Sequence, residues 1–284
     1  MLVNLKKMLA QADKERYAVG GFNITALETA IGIAQAAQAE NSPVIFQISE
    51  KTIDYMGLDL AFAIAKTLAD RIRVPAAIHF DHGRNFPLVK ESIAIGFSSI
   101  MLDVSKLDSG ERIGFVKEFV ALAHRRQVTV EVEEDIIGGR EDYVEGKGWS
   151  FTDPKRAASF VAETGIDCFA VSIGNSHGKP LPNETFDLDL LAKIDQAVPV
   201  PLVLHGASST PDKLIREAIS LGVCKINIDT DLRVAFSDEL RDVLADHQDM
   251  YDPRDELKST IEQVKQTVIE KIRLFGSNGK GGIS

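Results

Sequence analysis

The 284-residue chain repeats one order of events from end to end: a short apolar run, a polar turn, then an amphipathic helical stretch. The runs are YAVGGFN (17–23), PVIFQIS (43–49), PAAIHFDH (75–82), FSSIMLDV (97–104), VTVEVEE (128–134), DCFAVSIG (167–174), PLVLHGA (201–207) and CKINIDT (224–230), eight in all. Most are rich in Val, Ile and Phe at successive positions, which suits parallel strands covered on both faces rather than a sheet wet on one side. Helix starts between them are legible. Thr25 with Glu28 has the spacing of a capping box, and Asp153-Pro154 and Thr210-Pro211 each put a capping residue before a first-turn proline. Eight strand–helix units in this length predict an α/β fold, the (β/α)8 TIM barrel, with a doubly wound open sheet as the alternative. The segment from about 250 to 284 predicts an additional C-terminal helix with a flexible glycine-rich tail, so that residues 1–284 form a single domain.

Composition narrows the partners. With 44% hydrophobic and 26% charged residues the chain can bury a large core. A formal net charge of -10 argues against nucleic acid as a partner, because a phosphate-binding face needs clustered Lys and Arg. Any anionic ligand is therefore small and locally held. No run of about 18 apolar residues is present to span a membrane, and the first residues lack an apolar stretch followed by a cleavage site, so a cytoplasmic location is expected. Cys168 and Cys224, the only cysteines, sit in apolar runs as small buried hydrophobes.

In a TIM barrel the site is built at the carboxyl ends of the strands, so the last residues of each run carry the functional question. The first run ends on Asn23, the second on Ser49, the third on Asp81-His82, while the fourth reaches Asp103 and the fifth carries Glu131 and Glu133. The sixth leads into GNSHGK with His177, the seventh into HGASS with His205, and the eighth into NIDTD with Asn227 and Asp229. Taken alone, Asp81 reads as a helix cap and each histidine as a hydrogen-bonded strand end. Three of the six histidines on one rim, however, describe a catalytic zinc site with a fourth position open. His79 is expected to be structural or to support the site, and His124 and His247 to be solvated on helices.

His177-Gly178 and His205-Gly206 place glycine where backbone N–H groups could approach an anion, with Ser208 and the turn Asn227-Ile228-Asp229-Thr230 adding donors beside the last two strands. Barrels commonly hold phosphate there. Ordinary turn chemistry uses the same residue types.

Together these residues resemble the class II, metal-dependent ketose-bisphosphate aldolases, which include fructose- and tagatose-bisphosphate aldolases. AVGGFN, DHG, EVEEDIIGGRED, SIGNSHG, PLVLHGAS, KINIDTDLR, DPR and EKIRLFGSNGK carry the resemblance over nearly the whole chain. It implies a TIM barrel that splits a ketose phosphate reversibly into dihydroxyacetone phosphate and an aldehyde. It further implies that His82, His177 and His205 bind catalytic Zn²⁺ and that Asp81 is the acid/base at the aldehyde oxygen. Asp103 and Glu133 match positions near the metal that can hold an alternative or second cation. Glu141, in GGRED, matches a loop glutamate that takes the proton from the carbon beside the ketone. Gly178, Gly206, Ala207, Ser208, Asn227, Asp229 and Thr230 correspond to dihydroxyacetone phosphate contacts, which usually include a monovalent cation, Na⁺ or K⁺. Asn23 and Ser49 match the aldehyde side. Arg254 matches an arginine that reaches the far phosphate from a neighbouring subunit, in keeping with a homodimer or homotetramer; its other reading is an exposed helix-start arginine.

The chain departs from the family pattern around the substrate. HGKP brings Lys179 and Pro180, Glu133-Glu134-Asp135 replaces Glu-Leu-Gly, LDVSKLD lacks a DGSH pattern, and Ser209 stands where a second glycine is usual. These changes spare the metal ligands and leave open whether the aldehyde is glyceraldehyde 3-phosphate or another anionic one. Two other classes compete. A metal-dependent hydrolase on the same barrel would also use histidines and an Asp, but the phosphate-type loops oppose it. A noncatalytic sugar-phosphate sensor is opposed by Asp81 and Glu141.

Overall fold

The computed structural model describes residues 1–146, 148, 150–178 and 185–282, with the side chains of Glu141 and Val144 outside that description. Lys179 and Pro180 lie outside the described residues. In chain order the elements begin with α1 (Leu5–Glu15), β1 (Val19–Asn23), α2 (Leu27–Ala39), β2 (Val44–Ser49), α3 (Glu50–Met56), α4 (Leu58–Arg71), β3 (Ala76–Gly83) and α5 (Phe86–Ile95). Next come β4 (Ser99–Asp103), α6 (Ser109–His124), β5 (Thr129–Glu133), β6 (Gly138–Glu141), β7 (Val144–Gly146), α7 (Pro154–Thr164), β8 (Cys168–Val171) and β9 (Ser176–His177). The chain closes with α8 (Leu188–Ala197), β10 (Leu202–Leu204), α9 (Asp212–Ser220), β11 (Val223–Ile228), α10 (Thr230–Asp246) and α11 (Pro253–Phe275).

Eight parallel strands close into a barrel in the order β1-β11-β10-β8-β5-β4-β3-β2, and each predicted apolar run overlaps one of them, β3 ending one residue later and β11 starting one residue earlier than its run. The TIM barrel is therefore the observed fold, not the open sheet. Outward-facing Phe, Ile, Val and Leu pack under the helices as one continuous core; Phe22, Phe46, Phe80 and Phe169 are fully buried in it. Removing such apolar surface from water drives the assembly.

Helix α1 has no counterpart among the predicted elements. Its Leu5, Met8, Leu9 and Ala12 pack on the inward-facing Val19, Ile45, Ala77, Val203, Cys168 and Cys224, so the helix plugs the amino-terminal end of the barrel. Both cysteines are thereby structural. With that end filled, the barrel interior opens only toward the carboxyl ends of the strands, where the polar residues gather.

Several local expectations are corrected. Thr25 and Glu28 do not form the capping box; α2 starts one residue later, and Thr29 Oγ1 accepts from the backbone N–H of Ala26 at 3.0 Å. Thr210 does not cap α9, because Pro211 takes the capping position and the helix begins at Asp212. Asp153 does cap α7, accepting from Arg156 N–H at 2.8 Å. The tail is not flexible as far as Gly282: Gly279 N–H donates to Glu40 O at 2.8 Å and Gly281 N–H to Asn41 O at 2.7 Å. The GGRED segment, expected as a loop, contains β6, which pairs with β7 and β9 in a small separate sheet.

Candidate active site

Strand β3 delivers two functional side chains through a break in its own geometry. His82 has φ of 52°, a left-handed conformation that costs a residue with a Cβ roughly 1–2 kcal/mol. The pairing of β3 with β4 shifts between Phe80 and Gly83. In a regular strand successive side chains face opposite ways. Here the twist brings Asp81 and His82 onto one cavity, with Asp81 Oδ1 and His82 Nε2 4.0 Å apart.

Around His82 the rings of His177 and His205 stand edge-on, their centroids 4.8 and 4.9 Å from it. His177 comes from β9 and His205 follows β10; the Asn175 amide donates to the His205 carbonyl at 2.9 Å and ties the two segments together. Glu133 completes the group, so that one ligand atom from each of His82, Glu133, His177 and His205 lies within 4.8 Å of the others. Three imidazoles and a carboxylate are the donor set of a zinc site. Buried His205 Nδ1 and Glu133 Oε2 face each other at 3.1 Å without an acceptable hydrogen bond among the described residues. Such orphaned polar atoms are expensive unless a cation satisfies them, so the residues present fit a divalent ion.

Beneath this group lies a buried charge network. His205 Nε2 donates to Glu131 Oε1 at 2.8 Å, and Glu131 Oε2 meets Lys225 Nζ at 2.9 Å, all fully buried. Burial pushes the Glu131 carboxyl up, but the Lys225 ammonium and the bond from His205 outweigh it and hold the group below its ordinary range. For His205 burial disfavours the charged ring, yet its bond with Glu131 and the Glu133 carboxylate beside it push it up to about 9. Burial and the Lys225 ammonium drive His79 well below its ordinary value, and its Nδ1 sits 2.8 Å from Ser99 Oγ, a structural role as expected. Burial and the nearby Asp103 carboxylate raise Glu133.

Asp81 receives one amide on each oxygen: Asn23 Nδ2 donates to Oδ2 at 2.8 Å and Asn227 Nδ2 to Oδ1 at 3.3 Å. The carboxylate is thereby aimed rather than mobile. Asp103, by contrast, lies outside the four-residue group: Arg84 Nε and Nη2 reach its Oδ2 at 2.6 and 2.5 Å, and Ser105 Oγ takes Oδ1 at 2.6 Å.

The β6–β7 hairpin lies across the mouth. At its turn Asp142 accepts from Ser49 Oγ at 2.6 Å and from Arg233 Nη2 at 2.5 Å, with Lys51 Nζ at 3.6 Å, while Arg84 Nη1 donates to the Tyr143 carbonyl at 3.0 Å. The backbone of Glu141 ends β6, immediately before this anchored turn.

The phosphate-type residues converge on the same end of the barrel. Gly178 and Gly206 adopt φ of 80° and 61°, and a Cβ on them would meet the carbonyls of Arg140 and Ser176 at 2.4 and 2.1 Å. Close packing of the loops thus already requires glycine at both positions. Ala207 and Ser208 are buried beside them, and the Asp231 N–H donates to Ser208 Oγ at 3.4 Å. Ser209, the residue in place of a glycine, is left-handed at φ of 58° and is held by its N–H and Oγ on Asp231. Asp229 pairs with Arg233, and Thr230 opens α10, whose N-terminus faces this rim. Arg254 is not among them: its side chain is 89% exposed and pairs with Asp252.

Sequence reasoning missed Lys225, Arg84, Asp142 and Arg233. The alternation of Glu131 with Glu133 and of Lys225 with Asn227 places each pair on one strand face, a signal that pointed inward. Arg84, in the link between β3 and α5, and Asp142, in the hairpin turn, carried no such signal. His124, expected to be solvated, is half-exposed but sits 2.8 Å from the buried Asp167 carboxylate, which also pairs with Lys6.

Comparison with known proteins gives one consistent result. The family model described as fructose-bisphosphate aldolase class-II matches residues 3–280. A fructose-bisphosphate aldolase of Geobacillus stearothermophilus is 42% identical over 282 residues, covering 98% of each chain. A 6-phospho-5-dehydro-2-deoxy-D-gluconate aldolase of Bacillus subtilis is 40% identical over 281 residues, covering 98% of this chain and 97% of that one. Among solved structures, the YdjI aldolase of Escherichia coli K12 superposes with a TM-score of 0.86 at 33% identity, over 99% of this chain and 100% of the other.

Proposed function

We propose, from the premise that the chain belongs to the class II fructose-bisphosphate aldolase family and is a lyase, that it splits a ketose phosphate reversibly into dihydroxyacetone phosphate and an aldehyde. The observation that carries this reading is the convergence of His82, His177, His205 and Glu133 beside an immobilised Asp81. Zn²⁺ is the proposed ion, held by the three histidines with Glu133 as a further ligand; when bound it acts as a Lewis acid on the ketone oxygen.

The chain's own groups move the protons. In cleavage Asp81 takes the proton of the C4 hydroxyl, the C3–C4 bond breaks, and its electron pair stays on C3. Glu141 returns a proton there from the hairpin, and the condensation runs the same transfers backwards. Each positioned carboxylate contributes roughly 10²–10⁴-fold.

Gly178, Gly206, Ala207, Ser208, Asn227, Asp229 and Thr230 are the proposed contacts of dihydroxyacetone phosphate, with a monovalent cation. The α10 N-terminus supports that placement, because the positive end of a helix dipole favours an anion. Asn23 and Ser49 face the aldehyde, and Arg254 serves a neighbouring subunit of a homodimer or homotetramer. Cytoplasmic sugar-phosphate metabolism is the proposed setting; among the described residues no helix is long and apolar enough to cross a membrane.

Relatives of nearly equal identity carry two different substrate names, one a bisphosphate and the other a phosphorylated dehydrodeoxygluconate. A panel of ketose mono- and bisphosphates and that gluconate, assayed for dihydroxyacetone phosphate release alongside metal analysis, tests the reading. Release from at least one, abolished by chelation and restored by zinc, is expected. Failure with every substrate, or full cleavage after exhaustive chelation, overturns it.

A further inference from the structure

A lysine with no exposed surface is costly unless its charge is paired and its protons are placed. Lys225, on β11, is such a residue, and both of its polar contacts lead into the site. Its Nζ meets Glu131 Oε2 at 2.9 Å on one side and Asn227 Oδ1 at 2.7 Å on the other.

An ammonium only donates. Asn227 must therefore present its carbonyl oxygen to Lys225, which leaves its NH₂ facing Asp81 Oδ1 at 3.3 Å. Flipping the amide would set NH₂ against NH₃⁺. On the other side the ammonium takes Glu131 Oε2 at 2.9 Å, which turns Oε1 toward His205 Nε2 at 2.8 Å. With Nε2 held on Glu131, Nδ1 is the nitrogen whose lone pair a metal would use, and it faces Glu133 at 3.1 Å. A carboxylate behind a ligating histidine fixes its tautomer and orientation.

We propose that Lys225 is a positioning residue coupling the two halves of the site: through Glu131 it presents His205 Nδ1 to the metal, and through Asn227 it aims Asp81. It does not touch substrate. Only the turnover part of the proposal rests on the aldolase reading above; the metal part is measured without substrate.

The test compares wild type with Lys225→Met, Glu131→Gln and the double variant Lys225→Met/Glu131→Gln. Zinc affinity, read by chelator competition, should fall about 10–100-fold in Lys225→Met. The double variant should bind zinc no more weakly than the single ones, because lysine and glutamate act as one unit. Penalties that multiply overturn the coupling. In zinc-loaded wild type, ¹⁵N spectra of the labelled imidazoles should show His205 protonated at Nε2, and that signal should shift in each variant. A His205 protonated at Nδ1 overturns the proposal. The Asp81 half should appear in kcat, lowered about tenfold or more at nearly unchanged KM; a change confined to KM overturns that half. If Lys225→Met does not fold, the double variant, which removes both buried charges, decides alone: wild-type zinc affinity or wild-type kcat in it refutes the coupling. Borohydride trapping with dihydroxyacetone phosphate should leave Lys225 unmodified, and a reduced adduct there would make it a nucleophile instead.

Discussion

Asp81 and His82 are consecutive residues, yet Asp81 Oδ1 and His82 Nε2 stand 4.0 Å apart on one cavity, because His82 is left-handed at the end of β3. A regular strand would have sent one of them into the helical layer. Backbone strain of this kind persists where surrounding structure holds it and function uses it.

That strain can be measured. In metal-free protein, His82→Gly should be more stable than His82→Ala by about 1 kcal/mol, since glycine adopts the left-handed region without penalty. Glycine's greater freedom in the unfolded chain works against the gain, so the difference is a lower bound on the strain. Urea unfolding in the presence of a chelator gives the comparison, and a His82→Gly variant less stable than His82→Ala by glycine's full entropic cost of about 0.5–1 kcal/mol would show that φ at His82 stores nothing.

Asp81→Asn separates metal binding from proton transfer. The amide keeps the shape of the side chain and lies outside the group that gathers the ion, so zinc content should stay at the wild-type value. Without a carboxylate to take the hydroxyl proton, kcat should drop roughly 10²–10⁴-fold. Normal turnover with normal zinc would remove Asp81 from the chemistry.

How much of this was legible depends on whether the cause is local. The eight barrel strands were readable because burial on both faces leaves continuous apolar runs, and the three rim histidines because they follow or end those runs. The left-handed step at His82 was not, since histidine announces no turn. Nor was α1, whose task of plugging the barrel appears only once the barrel closes. Lys225 in KINID reads as an ordinary charged residue; its burial against Glu131 depends on pairing between strands far apart in sequence. The glycines after His177 and His205 were singled out as anion contacts, whereas the contacts that demand glycine there are neighbouring carbonyls.

Asp142 is the pin of the hairpin that carries Glu141, joined to Ser49, Arg233 and Lys51. Asp142→Ala removes charge-assisted bonds to two different elements, so local opening should become easier while the barrel itself stays intact. Amide exchange across residues 138–146 should accelerate roughly tenfold or more, with the global unfolding midpoint little changed. Unaltered exchange there would mean that β6 and β7 hold the hairpin without the pin.

Arg254 poses the sharpest question of assembly. Within one chain its side chain is almost wholly exposed and pairs with Asp252 two residues away, an arrangement that contributes little to folding. If the residue serves a neighbouring subunit, its partner is the phosphate at the far end of a bisphosphate, which a guanidinium grips with two parallel bonds. Arg254→Ala should then raise KM for bisphosphates roughly tenfold or more while KM for the matching 1-monophosphates stays near wild type, because a monophosphate lacks the group being gripped. Thermal stability should be unchanged. Steady-state kinetics on paired mono- and bisphosphate substrates supply the ratio, and equal shifts for both would return Arg254 to the role of an exposed arginine at the start of α11.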